Sequence, residues 1–361
     1  MNRKIAVLMG SDSDFEKMKD MIPVFRENNA GYEYRVISAH RTPLVATEFS
    51  QNAKTNGYDL IIAGAGMSAH LPGVLAAFTG VPVIGLPIKS TSSGMGGMDA
   101  LHSIIQMPPG IPVATVGIDN AVGAAKLAVK MLNCSPGRKA AEAQGATAPD
   151  GGGGGGAAGA GGGGGDSARD SDCGGGLSSN DHAGFTVKIV YDEKDASATD
   201  LQKVTGVLDA YGIKYLLIDL SKEGTTENTH DCDIPDPEKL TGDPGLREGD
   251  GASLFLNLTG YNIEPVLNGD ERTKGALLVE VPIKASTGGF NDTSDKIYLQ
   301  TKNSESAAFV GVASYQNAAH LIARIAGIHD RSIYDKVVSE HAKLAAAVIE
   351  KDAKMRKEVS G

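Results

Sequence analysis

Short apolar runs joined by helical patterns recur along this chain, and they restrict it to a narrow class of folds. In the first half the runs are Ile5–Met9, Tyr32–Ile37, Asp59–Ala63, Val81–Leu86 and Pro112–Ile118. Apolar residues at helical spacing follow over Ser13–Glu27, Pro43–Asn56, Leu71–Phe78 and Ala121–Leu132, with Pro43 suited to a first helical turn. A buried run, a helix and another buried run make a βαβ crossover, which requires a parallel sheet covered on both faces. The expected class is therefore α/β.

The second half repeats the plan. Val187–Tyr191, Lys214–Asp219, Ser253–Leu258, Ala276–Val281 and Phe309–Ala313 read as strands, and Asn317–Ile325 as the last helix. Val281-Pro282-Ile283-Lys284 echoes Leu86-Pro87-Ile88-Lys89. The period, about 185 residues, is longer than that of any solenoid repeat, so it reads as a duplicated domain. Between the halves, residues 135–184 are crowded with glycine, including Gly151–Gly156 and Gly161–Gly165. Such a stretch has too little to bury to offset its ordering entropy. The expected organisation is a domain over 1–134, a flexible linker over 135–184 and a second domain over 185–361. Only the second ends in a long amphipathic pattern, Ile328–Lys357. Its apolar stripe must lie on something, so it is expected to pack across a domain or subunit boundary.

Charge narrows the partners. The net charge of -10 argues against nucleic acid. Residues 1–134 carry 11 basic and 10 acidic side chains against 20 and 28 in 185–361, which marks the halves as different units. Cys134, Cys173 and Cys232 are far apart and lack metal-type spacing, as in a reducing compartment. No apolar run reaches the ~18 residues of a membrane span, and Ile5–Met9 is too short for a signal peptide. A cytoplasmic protein is expected, with no metal and no cofactor.

In an open parallel sheet, ligands gather at the carboxyl ends of the strands. The first strand ends in Gly10-Ser11-Asp12-Ser13-Asp14, which suits either an anion site at a helix start or an ordinary Ser/Asp cap. The second ends in Ser38-Ala39-His40-Arg41-Thr42-Pro43. Arg41 can hold a phosphate through its planar fork, and His40 can move a proton near neutral pH. A hydrogen-bonded surface turn is the alternative. The third strand ends in Ala63-Gly64-Ala65-Gly66-Met67-Ser68-Ala69-His70, where missing side chains let a ligand approach the backbone. It lacks the dinucleotide fingerprint, and His70 alone is as compatible with a structural role. The fourth leads to Ser90–Met98, a small-residue loop, then to Met and Ile residues that read as packing. Together the loops suit a small phosphorylated ligand and a proton-transfer step.

These motifs resemble the PurE family, the catalytic subunits of phosphoribosylaminoimidazole carboxylase. The resemblance rests on Met9–Asp14, Ser38–Pro43, Ala63–Gly73, Asp99–Pro112 and Val113–Ile118, and it spans residues 4–133. It implies a three-layer flavodoxin-like sheet and an octamer with sites at subunit junctions. It also implies interconversion of N5-carboxyaminoimidazole ribonucleotide and 4-carboxy-5-aminoimidazole ribonucleotide. On this chain it would place Ser11, Ser38 and Arg41 at the phosphate, with Ser13 beside them, and Asp14 at the ribose. His40 would be the proton shuttle. Ala65, Gly66, Ser68, Ala69 and His70 would hold the carboxylate or the released carbon dioxide. Arg41-Thr42-Pro43 and His70–Gly73 look like the mutase branch; a direct carboxylase and a non-catalytic nucleotide-binding regulator are the alternatives.

The second half departs at each of these positions. Tyr191–Asp195, Leu220–Thr225 and Leu258–Pro265 replace the three loops with bulky and acidic groups. It is expected to be a silent copy that keeps assembly surfaces, four chains then forming an eight-domain particle. The competing expectation is a regulatory domain with its own ligand.

Overall fold

Alternation along the first strand sets the architecture of the computed structural model, which describes residues 4–91, 93–134, 186–193, 195–220, 254–259, 263, 264, 267, 276–282 and 290–360. In β1 (Lys4–Met9), Ile5, Val7 and Met9 face one core, and Ala6 and Leu8 face another. A strand that buries both faces needs helices on both sides. On one side lie α1 (Phe15–Met18), α2 (Met21–Glu27) and α6 (Ala121–Asn133), which supply Met18, Met21, Phe25 and Leu127. On the other lie α3 (Pro43–Gln51), α4 (Leu71–Ala76) and α5 (Met98–Ile105), which supply Phe49, Leu75 and Ile104. The remaining strands of this half are β2 (Gly31–Val36), β3 (Tyr58–Gly66), β4 (Val83–Ile88) and β5 (Ala114–Thr115). Their order is β2-β1-β3-β4-β5, all parallel, which is the flavodoxin-like order.

The second half holds β6 (Thr186–Tyr191), α7 (Ala198–Tyr211), β7 (Lys214–Asp219), β8 (Leu254–Asn257), β9 (Leu277–Glu280), α8 (Phe290–Asn303), β10 (Ala308–Phe309), α9 (Tyr315–His329) and α10 (Arg331–Ser360). Its strands run β7-β6-β8-β9-β10, the same order. The halves join edge to edge: Phe309 of β10 pairs antiparallel with Thr115 of β5, giving one ten-stranded sheet. A seam of this kind removes two exposed strand edges at once.

Several elements differ from the sequence expectation. Ser13–Glu27 is not one helix: a 3-10 turn at Asp12–Asp14, α1 and α2 replace it, with the break at Lys19-Asp20 ahead of Pro23. Proline cannot donate to the preceding turn, so the chain restarts there. The helix starting at Pro43 stops at Gln51 rather than Asn56, and β5 keeps only two residues of Pro112–Ile118. The Met and Ile residues read as packing do pack: Ile104 and Ile105 from α5, Met107 and Ile111 from the segment after it. Helix α5 puts Ala100 and Ile104 into the first half's core and Leu101 and Ile105 into the second's. The tail helix α10 lies over α9, with Tyr334 against the first half's core. The glycine-rich segment, Cys173, Cys232 and most of the Leu220–Thr225 and Leu258–Pro265 loops fall outside the described residues.

Candidate active site

The carboxyl ends of β1, β2, β3 and β4 frame a cavity of about 610 Å³. Each loop is shaped locally. After Gly10, Ser11 caps the 3-10 turn by accepting from the Ser13 amide, and the Ser13 hydroxyl donates to Ser11 Oγ at 2.9 Å. Ser38 and Thr42 close the second loop: Thr42 Oγ1 donates to the Ser38 carbonyl and accepts from the Ser38 amide, both at 3.0 Å. That turn, followed by Pro43 at the start of α3, holds His40 and Arg41 out at the cavity. Gly66 ends β3 where a Cβ would sit 3.0 Å from the Ile88 carbonyl, so β3 and β4 can close together only around glycine. Met67 follows with φ +56°, a strained conformation for a side chain of its size.

His40 Nε2 lies 2.9 Å from His70 Nδ1, with the rings edge to face at 74°. One proton must sit between the two nitrogens, so the pair can pass it either way as its tautomers exchange. Arg41 reaches across to donate to the Gly10 carbonyl at 2.6 Å, tying the second loop to the first. Asp14 is half-buried; burial raises its carboxyl pKa, while a backbone hydrogen bond at Ser11 and the Arg41 charge pull it back.

Of the residues singled out from the sequence, Ser11, Ser13, Asp14, Ser38, His40, Arg41, Ala65, Gly66, Ser68 and His70 all line this one cavity. Ala69 does not; its side chain is buried in the core beneath. The structure adds Lys17 and Lys89, which the sequence reading passed over. Lys17 follows Ser13 by four residues, the spacing of neighbours on a helix face, and Lys89 follows β4 directly. Asp119, at the end of the β5 loop with φ +56°, organises both. Its carboxylate accepts from Lys17 Nζ at 2.8 Å and from the Lys89 amide at 3.0 Å. Arg41, Lys17 and Lys89 outnumber the carboxylates of Asp14, in the lining, and Asp119, paired with Lys17 beside it, so the cavity is cationic on a chain whose net charge is -10. Among the described residues, no cluster of three or more His, Cys, Asp or Glu could hold a metal, and no helix is long and apolar enough to cross a membrane.

A flavodoxin-ordered sheet whose strand ends hold a cavity with basic side chains and a histidine pair places this half among α/β proteins with their candidate site at the carboxyl edge of the sheet. Residues 4–145 match the family described as AIR carboxylase. The N5-carboxyaminoimidazole ribonucleotide mutase of Pyrococcus abyssi is 55% identical over 130 residues, 36% of this chain and 74% of that protein. That of Aquifex aeolicus is 50% identical over 133 residues, 37% of this chain and 78% of that one. The phosphoribosylaminoimidazole carboxylase of Schizosaccharomyces pombe is 48% identical over 128 residues, 36% of this chain but 23% of its own length. The solved PurE of Treponema denticola is 30% identical and covers 35% of this chain and 77% of its own, with a TM-score of 0.31. This chain belongs to the AIR carboxylase family through its first half.

Proposed function

We propose that this chain acts in purine biosynthesis and shifts a carboxylate on a small ribonucleotide. It would interconvert N5-carboxyaminoimidazole ribonucleotide and 4-carboxy-5-aminoimidazole ribonucleotide. The observation that carries the reading is the 2.9 Å contact of His40 with His70 inside the cationic cavity. Arg41, Ser11 and Ser38 hold the phosphate, with Ser13 beside them, and Asp14 meets the ribose. Ala65, Gly66, Ser68 and His70 surround the carboxylate. Protonation of the carbamate nitrogen breaks its bond to carbon and releases carbon dioxide. Held in the cavity, the carbon dioxide is attacked by the ring carbon; proximity of this kind contributes several kcal/mol. His40 then takes the ring proton, which balances the proton given to the nitrogen.

The assay that decides is conversion by the purified chain with and without bicarbonate. Turnover of the N-carboxylated substrate without added bicarbonate is the expected result. Activity from aminoimidazole ribonucleotide and high bicarbonate alone would favour the direct carboxylase, as the name of the S. pombe relative suggests. No activity with either would favour a binding protein.

The same proposal treats residues 1–134 as the working domain, 135–184 as a linker and 185–361 as a degenerate second copy. Support comes from the shared strand order and from the loss of the His-Arg pair. Four chains would then form an eight-domain particle. Leu44 on α3 is 83% exposed, and Val348 and Ile349 on α10 are also exposed, so apolar surface remains to be covered. A solution mass of one chain would sink the assembly.

A further inference from the structure

Helix α9 of the second half sends two buried polar side chains into the first half. Asn317 and Arg324 are seven residues apart on α9, two turns along one face. Each is only 2% exposed. Arg324 donates from both terminal nitrogens to the carbonyl of Ala76, at 3.1 Å each. Ala76 is the last residue of α4, where carbonyls have no partner inside the helix and the dipole favours a cation. Asn317 accepts from the Gly110 amide at 2.8 Å and donates to the Met107 and Pro108 carbonyls at 3.1 Å. The Met107 thioether in turn presses on α4, 3.0 Å from where a Cβ on Gly73 would stand.

Both contacts converge on α4, and His70 immediately precedes its first residue. The Val74 amide donates to the His70 carbonyl, and Ala77 to Gly73, so one hydrogen-bonded unit runs from the histidine to the Arg324 contact. Its six residues span about 9 Å. Among the described residues, Arg324 has no carboxylate at ion-pair distance. A buried guanidinium that hydrogen-bonds only the Ala76 carbonyl, beside the phenols of Tyr211 and Tyr334 and the imidazoles of His320 and His341, is a costly way to join two surfaces, because an apolar side chain would do that with less desolvation. Its value lies in directionality: it fixes where the end of α4 stands.

We infer that Arg324 and Asn317 are positioning residues that set His70 against His40 from the second half, so the second half helps to build the site of the first. The inference rests on the reading of His70 as part of the working site.

The test uses the full chain carrying Arg324→Met, Arg324→Lys or Asn317→Ala. The ring resonances of His40 and His70 are followed without substrate, assigned by the single His→Gln variants, and kcat and KM are measured separately. Arg324→Met is expected to move the His70 resonances and to lower kcat about tenfold to a hundredfold, as small displacements of reacting groups do. KM stays within about twofold, because the phosphate contacts are untouched. Arg324→Lys, which keeps the charge, recovers part of the loss. A folded Arg324→Met chain with wild-type histidine resonances and wild-type kcat would overturn the inference. If Arg324→Met does not fold, Asn317→Ala decides by the same two readouts, since it frees Met107 without burying an unpaired group on α4. A wild-type chain that converts nothing would remove the proposed reaction, and the resonances would still decide whether α9 positions His70.

Discussion

The two halves share a strand order and differ at the strand ends. In the first half, Ala63 on β3 stands opposite Gly85 on β4, and the next residues open into the cavity. At the same place in the second half, Asn257 on β8 stands opposite Glu280 on β9. In register with the first strand of each half, Leu8 pairs with Ala63 and Val190 pairs with Asn257. Asn257 donates to Glu280 Oε2 at 2.6 Å and accepts from the Thr259 amide and hydroxyl at 3.0 and 2.8 Å. Burial drives the Glu280 carboxyl well above the usual carboxylate range, with Asn257 partly opposing it. The first half of the sheet keeps its strand ends small beside the cavity. The second half fills the corresponding register position with a buried polar network, so the strand order does not require small strand ends.

The contrast is broken most forcefully at His40. His40→Gln should lower turnover by about a hundredfold to ten-thousandfold while substrate still binds, the range for losing a general acid or base. Calorimetric titration alongside kinetics separates the two, and loss of binding and folding together would make His40 structural. Arg41→Met comes next: losing charged hydrogen bonds to a phosphate costs about 1.5–3 kcal/mol, which is roughly a tenfold to hundredfold weaker KM.

In the second half the expected effects fall on stability. His320 on α9 is largely buried beside Arg324 and 3.0 Å from the Tyr211 hydroxyl. Burial and then Arg324 pull it from 6.5 down to about 4, against the opposing Glu340 charge. A base with a depressed folded value takes up its proton on unfolding, so its contribution is complete above about 6.5 and fades as pH falls towards 4. The swing is at most about 3 kcal/mol. Denaturant titrations between these pH values should show a flatter acid limb for His320→Gln than for the parent chain; identical limbs would mean the residue is not buried neutral.

An effect of opposite sign belongs to Glu280. Its folded value is raised above 4.5, so its contribution is present at acid pH and lost as pH rises. Glu280→Gln keeps the acceptor for Asn257 and removes the ionisation, so the melting temperature should rise at neutral pH and converge with the parent below about 4.5. Activity should be unchanged, and a fall in kcat would show that the polar network reaches the cavity.

Much of this was legible before folding. Gly10-Ser11, Ser38–Pro43 and Ala65–His70 sit at strand ends, and a parallel sheet brings strand ends to one edge whatever else happens. Lys17 and Lys89 were not legible, because a lysine on a polar helix face or after a strand looks like any solvated charge until a loop such as that of Asp119 gathers it. Ala69 differs from its motif neighbours in placement: its side chain points to the core, where theirs line the cavity.

Sequence alone determined the parallel α/β plan of both halves and which loops of the first gather at the strand ends, because periodicity and local turn chemistry are properties of consecutive residues. Only the tertiary structure decided that β5 and β10 join the halves into one sheet. It alone also decided that α5 serves both cores and that Arg324 reaches across 248 positions to the end of α4. Those are contacts between residues far apart in the chain, and no local pattern encodes which distant partner a buried donor will find.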